Sequence, residues 1–124
     1  MTLRALIVDD NPSNAMVVEF ILEKLGLEYA SLHHPEDVME HLKTCRYDVM
    51  LLDWMMPNID GIELLRTIRA KPEMASLKVI MCTARSGDSD RQTALNAGAD
   101  AYLPKPLSLN TIRESLRGLE LLSA

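Results

Sequence analysis

No apolar run in this chain of 124 residues is long enough to cross a bilayer. The longest runs are strand-sized and broken by charge, which excludes membrane insertion. An export signal is missing as well. The opening Leu3–Val8 stretch is cut short by Asp9 and Asp10, and no small-residue cleavage site follows. Cysteine is scarce: Cys45 and Cys82 are the only two and lie far apart, which fits free thiols in a reducing cytoplasm better than a disulfide staple. Positive charge is in deficit, with 13 Lys and Arg against 18 Asp and Glu and a net charge of -5. That argues against direct nucleic-acid binding, which needs clustered basic residues. Repeats, low-complexity tracts and linkers are absent too, so residues 1–124 read as one cytoplasmic domain. What is present is 48% apolar and 25% charged, the balance of a globular protein rather than a disordered tail.

Two kinds of segment alternate along the chain. Leu3–Val8, Val49–Leu52 and Leu77–Cys82 are apolar on successive residues, the pattern of parallel strands covered on both faces. Leu27–Leu32 and Ala101–Leu103 are weaker strands of the same kind. A first helix is expected over Asn14–Leu25, stopped by Gly26. It is apolar over most of its circumference, so Met16 and Phe20 are either core or part of a kinase-docking surface. Pro35, with Glu36 and Asp37, opens a second helix. Asp60 and Glu63 have the spacing of a capping box for a third, with Ile62, Leu65 and Ile68 inward. Asp88–Ala97 forms a fourth, closed by Gly98. Its single large apolar residue, Leu95, fits either a plain surface helix or an element free to move. Ser108 caps a fifth, whose face is Leu109, Ile112, Leu116 and Leu119. Five such alternations imply an α/β fold, a parallel sheet with helices on both faces.

In an open parallel sheet, chemistry collects at the carboxyl ends of the strands. Polar residues directly follow the apolar runs there: Asp9 and Asp10, then Asp53, Thr83 and Lys105. Each has an ordinary alternative. The Asp pair could cap a helix, Asp53 could be a loop acid, Thr83 a strand residue and Lys105 a solvated charge. Together, three carboxylates at one edge repel one another unless something neutralises them. A hard divalent cation such as Mg2+ fits oxygen ligands, and zinc is disfavoured because His33, His34 and His41 fall elsewhere, as surface residues. A carboxylate can act as a nucleophile toward a phosphoryl group, with the ammonium and hydroxyl binding its oxygens.

Four blocks carry a resemblance to a known family: Leu6-Ile7-Val8-Asp9-Asp10-Asn11, Leu51-Leu52-Asp53-Trp54-Met55-Met56-Pro57-Asn58-Ile59-Asp60-Gly61, Met81-Cys82-Thr83-Ala84, and Gly98 through Pro106. In this order they resemble the receiver domain of bacterial response regulators, over essentially the whole chain. The resemblance implies a doubly wound, flavodoxin-like (βα)5 receiver fold with strand order 2-1-3-4-5. It makes Asp53 the phosphoacceptor, served by a sensor histidine kinase or a histidine phosphotransfer protein. Asp10 would bind Mg2+ directly, Asp9 largely through water, and the Met55 carbonyl would add a ligand beside Asp53. Thr83 would close on the phosphoryl oxygens and Lys105 would pair with Asp53. A cis bond is expected at Lys105-Pro106, aiming the ammonium inward. Tyr102 matches the switch aromatic, which changes the surface of the fourth helix, fifth strand and fifth helix. Met55 and Arg85 occupy positions that tune phosphate lifetime.

The leading reading is a two-component signalling switch whose output is binding to a downstream protein target, either stand-alone or an isolated receiver domain, with a phosphorylation-dependent dimer as one outcome. It takes part in its own phosphorylation without being an enzyme. An aspartate-nucleophile phosphotransferase or phosphatase is the alternative. Such enzymes place nucleophile and second acid two residues apart after one strand, unlike the adjacent Asp9-Asp10 pair here. A flavodoxin-like cofactor binder is disfavoured by the acidic first loop, which would repel a phosphate.

Overall fold

Asn11 sets the start of the first helix. Its side chain accepts hydrogen bonds from the backbone N–H groups of Ser13 and Asn14 at 2.8 and 3.3 Å, and Pro12 occupies the first turn. Helix α1 therefore spans Pro12–Lys24 and begins before Asn14, because capping chemistry and not the apolar pattern fixes the end. Gly26, at φ 83°, takes the left-handed conformation that follows it. A computed structural model provides the coordinates and describes residues 2–85 and 87–122. Residues 1, 86 and 123–124, including both ends of the expected domain, lie outside the described residues.

Strands β1 (Arg4–Val8), β2 (Glu28–Leu32), β3 (Val49–Asp53), β4 (Lys78–Thr83) and β5 (Ala101–Pro104) form one parallel sheet in the order β2-β1-β3-β4-β5. Between them lie α2 (Val38–Thr44), α3 (Gly61–Arg69) and α4 (Asp88–Ala97), and α5 (Leu109–Gly118) follows β5. The second helix starts later than Pro35, because Pro35–Asp37 forms a single 3-10 turn ahead of it. Asp60 caps α3 by accepting from Ile62 N at 2.8 Å, with no reciprocal Glu63 bond among the described residues. The reciprocal box occurs at α5 instead, between Ser108 and Thr111.

Alternation along the strands sends side chains into two apolar layers. Leu6, Val8, Met50, Leu52 and Met81 pack with Ile62, Leu65 and Ile68 of α3 and with the alanines of α4. Ala5, Ile7, Leu51 and Ile80 pack with Val18, Ile21 and Leu22 of α1 and with Ile112 and Leu116 of α5. Every residue of the central strand β3 is buried. Leu109, expected on the inner face of α5, is exposed because it lies in the first turn, beyond the reach of the sheet. Met16 and Phe20 are also exposed, at 65% and 61%, since one face of α1 suffices to cover its half of the sheet.

The corner between α3 and β5 is closed by a polar hub. Arg69 donates through Nε to Gly98 O at 2.9 Å, through Nη1 to Leu77 O at 2.8 Å and through Nη2 to Asp100 Oδ2 at 2.8 Å. Asp100 Oδ2 also accepts from Val79 N at 2.8 Å. A Cβ on Gly98 would lie 2.6 Å from Arg69 Cγ, and its φ of 112° already favours glycine. Because this ion pair is mostly buried and anchors backbone carbonyls, Arg69→Met is expected to lower stability by about 1–3 kcal/mol in urea unfolding. A loss below about 0.5 kcal/mol would mean that water replaces these bonds without penalty.

Candidate functional site

The strand order reverses direction between β1 and β3, which leaves a crevice beyond their carboxyl ends. Val8 pairs with Leu52 in register, so Asp9 and Asp53 emerge side by side there. Asp53 pairs with Cys82 on β4, one residue before Thr83. Lys105 follows β5, and its N–H donates to Thr83 O at 2.7 Å. Carboxylate oxygens of Asp9, Asp10 and Asp53 all lie within 4.8 Å of one another. The Lys105 ammonium reaches Asp9 Oδ2 at 3.3 Å and Asp53 Oδ1 at 3.6 Å. The Lys105-Pro106 peptide bond is cis. Asp9, Asp53 and Thr83 are the buried polar residues here, and Asp10 is half-buried.

Crowding sets the electrostatics. Burial, then the Asp9 charge, pushes the Asp53 carboxyl up to about 6, against the pull of Lys105 and of the Met55 N–H. Burial disfavours the Lys105 ammonium, but Asp53 and Asp9 outweigh it and its pKa is raised. Burial also pushes the Cys82 thiol up to about 12, so it stays a neutral wall and not a soft metal ligand. Three acids facing one ammonium leave unbalanced negative charge on hard oxygen donors. That donor set fits Mg2+ and does not fit zinc.

The loop after β3 holds the acid in place. Gly61 N donates to Trp54 O at 2.9 Å, and a Cβ at Gly61 would meet Asp53 O at 2.4 Å and Trp54 Cα at 2.8 Å. Only glycine lets α3 start this close to the strand end. Asp9 is oriented from two sides: its Oδ1 accepts from Asn11 N at 2.9 Å, and its carbonyl faces His33 Nδ1 at 3.1 Å. His33 is therefore half-buried against the site and not a free surface residue. Its only signal in the sequence was its place directly after the second strand.

The family model for the response regulator receiver domain matches residues 5–117. The chain belongs to that family. It is 35% identical over 108 residues to the phosphate regulon transcriptional regulatory protein PhoB of Rhizobium meliloti, covering 87% of this chain and 48% of that protein. It is likewise 35% identical over 117 residues to the transcriptional regulatory protein TrcR of Mycobacterium tuberculosis, covering 94% and 45%. The chain thus spans less than half the length of these relatives. Among solved structures it superposes on the receiver domain of the Francisella response regulator 1452 with a TM-score of 0.86 at 28% identity, covering 95% and 96% of the two chains. On a CheY-like receiver domain protein of Methanospirillum hungatei the TM-score is 0.85 at 28% identity, covering 96% and 94%.

Within this receiver domain, Tyr102 lies inward, 6% exposed, and its hydroxyl donates to Arg85 O. Its ring meets Trp54 edge-on at 6.5 Å. The residue two past Asp53 is Met55, whose side chain is exposed, so the second acid that an aspartate-nucleophile enzyme carries there is replaced by a thioether. Arg85 does not lie among the acids: its guanidinium stacks on Trp54 and pairs with Asp90.

Asp53 has a higher pKa folded than unfolded, so the folded state takes up its proton more readily. That contribution is fully present below about pH 4, the ordinary carboxylate range, and is lost as pH rises through about 6. Asp53→Asn is therefore expected to be more stable than the parent by about 1–3 kcal/mol at pH 7.5 without divalent cations. The advantage should shrink toward pH 4. Equal urea midpoints for the two proteins at pH 7.5 would show that the acidic cluster carries no strain.

Proposed function

We propose that Asp53 is the phosphoacceptor of this receiver domain and that its phosphorylation is the signal. The supporting observation is a buried carboxylate at the open end of the sheet, held beside Lys105 and flanked by two further acids. An Asp53 oxygen attacks the phosphorus of a phosphohistidine on a sensor histidine kinase or histidine phosphotransfer protein. The P–O bond forms as the P–N bond breaks, and the electron pair leaves with the imidazole, which takes a proton. Asp10, Asp53 and the Met55 carbonyl, with Asp9 largely through water, would hold Mg2+, whose positive charge would let an anionic phosphoryl group approach these acids. Lys105 moves its ion pairing from the carboxylates to the phosphoryl oxygens, and the buried Thr83 hydroxyl donates to another.

For the phosphodonor, a cavity of about 430 Å3 lined by Val17, Val18, Pro106 and Leu107 opens beside Asp53, and the same helix α1 exposes Met16 and Phe20. This supports α1 and the loop after β5 as the docking side. The output is a change at the face of α4, β5 and α5 around Tyr102, read by a downstream protein or by a second copy of the chain. The domain acts in the cytoplasm as a binding switch, with no direct nucleic-acid contact or membrane insertion.

Incubation with Mg2+ and a small acyl phosphate should add a single phosphoryl group by intact mass, absent in Asp53→Asn and without Mg2+. An adduct that persists in Asp53→Asn would remove Asp53 from the role. Met55 lies two residues past Asp53 and Arg85 two past Thr83, and on this reading the pair sets how freely water reaches the acyl phosphate. A Met55→Asn, Arg85→Glu double variant should lose its phosphate several-fold faster, and an unchanged decay rate would clear both residues of that part.

A further inference from the structure

The segment joining β4 to α4 directly follows the Thr83 hydroxyl, yet among its described residues anchoring by side-chain packing is sparse. Gly87, the N-cap of α4, offers no side-chain cap bond, and Ala84 and Arg85 are exposed. Arg85 ties this segment to its surroundings at four points. Its N–H donates to Thr83 Oγ1 at 3.1 Å, and its carbonyl accepts from the Tyr102 hydroxyl. Its guanidinium carbon lies 4.8 Å over the Trp54 ring, and Nη1 reaches Asp90 Oδ1 at 3.3 Å. Trp54 directly follows the acceptor and is buried, so it is a firm platform. Asp90 lies in the first turn of α4, so the guanidinium spans from the acceptor's own loop to the start of that helix.

The Thr83 contact has a directional consequence. With Oγ1 accepting from Arg85 N–H, the hydroxyl hydrogen is left free to donate to a phosphoryl oxygen. Lys105 N fixes the Thr83 carbonyl from the other side. A backbone held at both ends presents the hydroxyl in one orientation, and the same arrangement gives Tyr102 its inward hydrogen bond.

We propose that the Arg85 side chain is a positioning residue: stacked on Trp54 and paired with Asp90, it holds the segment after β4 so that Thr83 and Tyr102 stand in their phosphoryl-binding arrangement. The role rests on Asp53 being the acceptor. It predicts an affinity effect, because a ligand binds more weakly when its competent arrangement is less populated. It differs from shielding the acyl phosphate from water, which acts on decay and not on binding.

The test uses the whole chain, with beryllium trifluoride and Mg2+ as the phosphoryl mimic, titrated by calorimetry on the parent, Arg85→Gln and Arg85→Lys. Losing the stacked cation should weaken mimic binding about two- to five-fold in Arg85→Gln, and Arg85→Lys should recover part of it. Acrylamide should quench Trp54, the only tryptophan, more readily in Arg85→Gln than in the parent. Urea midpoints distinguish this from a merely structural role, which would lower stability and leave the affinity of the folded protein unchanged. Equal mimic affinity in Arg85→Gln and the parent would overturn the proposal, as would equal weakening in Arg85→Gln and Arg85→Lys. If the parent itself bound no mimic, the acceptor reading would fail, and this role with it.

Discussion

Three carboxylates gathered at one sheet edge, with an ammonium that reaches two of them, form the constraint around which this receiver domain is arranged. Asp9 and Asp53 cannot separate, because β1 and β3 are neighbours with Val8 paired to Leu52, and Asp10 follows directly in the chain. Lys105 can neutralise only part of the charge, so Asp53 is left with a raised pKa and the folded chain carries an unfavourable local field. Such a field is tolerable only where the surroundings are firm. It is also what makes the site responsive, since any group that rebalances the charge gains free energy by binding the folded state.

The firmness comes from the two apolar layers. Leu52 and Val8 point to one face and Leu51 and Ile7 to the other, so the residues just before the acids are locked on both sides. Gly61 then brings the start of α3 against the acceptor's own backbone, where any side chain would collide with it. At the opposite end of the sheet, Arg69 and Asp100 fasten α3 to the turn before β5. Displacing Asp53 would therefore mean repacking the central strand.

Much of this was legible from the residue order. The switch from apolar run to polar residue is a local signal, so the strands and the convergence of Asp9, Asp10, Asp53 and Lys105 could be read from their positions. The family blocks implied the strand order, and the sheet has it. Helix ends were less legible, because a cap depends on one side chain: Asn11 took the place assigned to later residues, and Pro35 made a 3-10 turn. Least legible were contacts between distant segments. Nothing near Arg69 announces Asp100, nothing near His33 announces the carbonyl of Asp9, and α1 gave no sign of which apolar side faces outward. The roles of the gathered residues are a separate matter, decided by chemistry and not by proximity.

Helix α4 is held far more lightly than its neighbour α3. Helix α4 buries Ala94 and Ala97 while Leu95 stays exposed, so shifting it uncovers little apolar surface compared with α3, which buries Ile62, Leu64, Leu65 and Ile68. A helix so weakly packed would wander unless something else fixed its start. The stacked and paired Arg85 side chain, reaching from Trp54 to Asp90, is well placed to do so. An exposed cation on an aromatic face contributes about 0.5–1 kcal/mol, enough to bias a position and too little to freeze it. A charge-crowded acid on a rigid strand thus stands beside a lightly tethered helix. If Asp53 is the acceptor as proposed, the stiff elements resist the rebalancing, and the adjustment would fall on α4 and the Tyr102 face beside it.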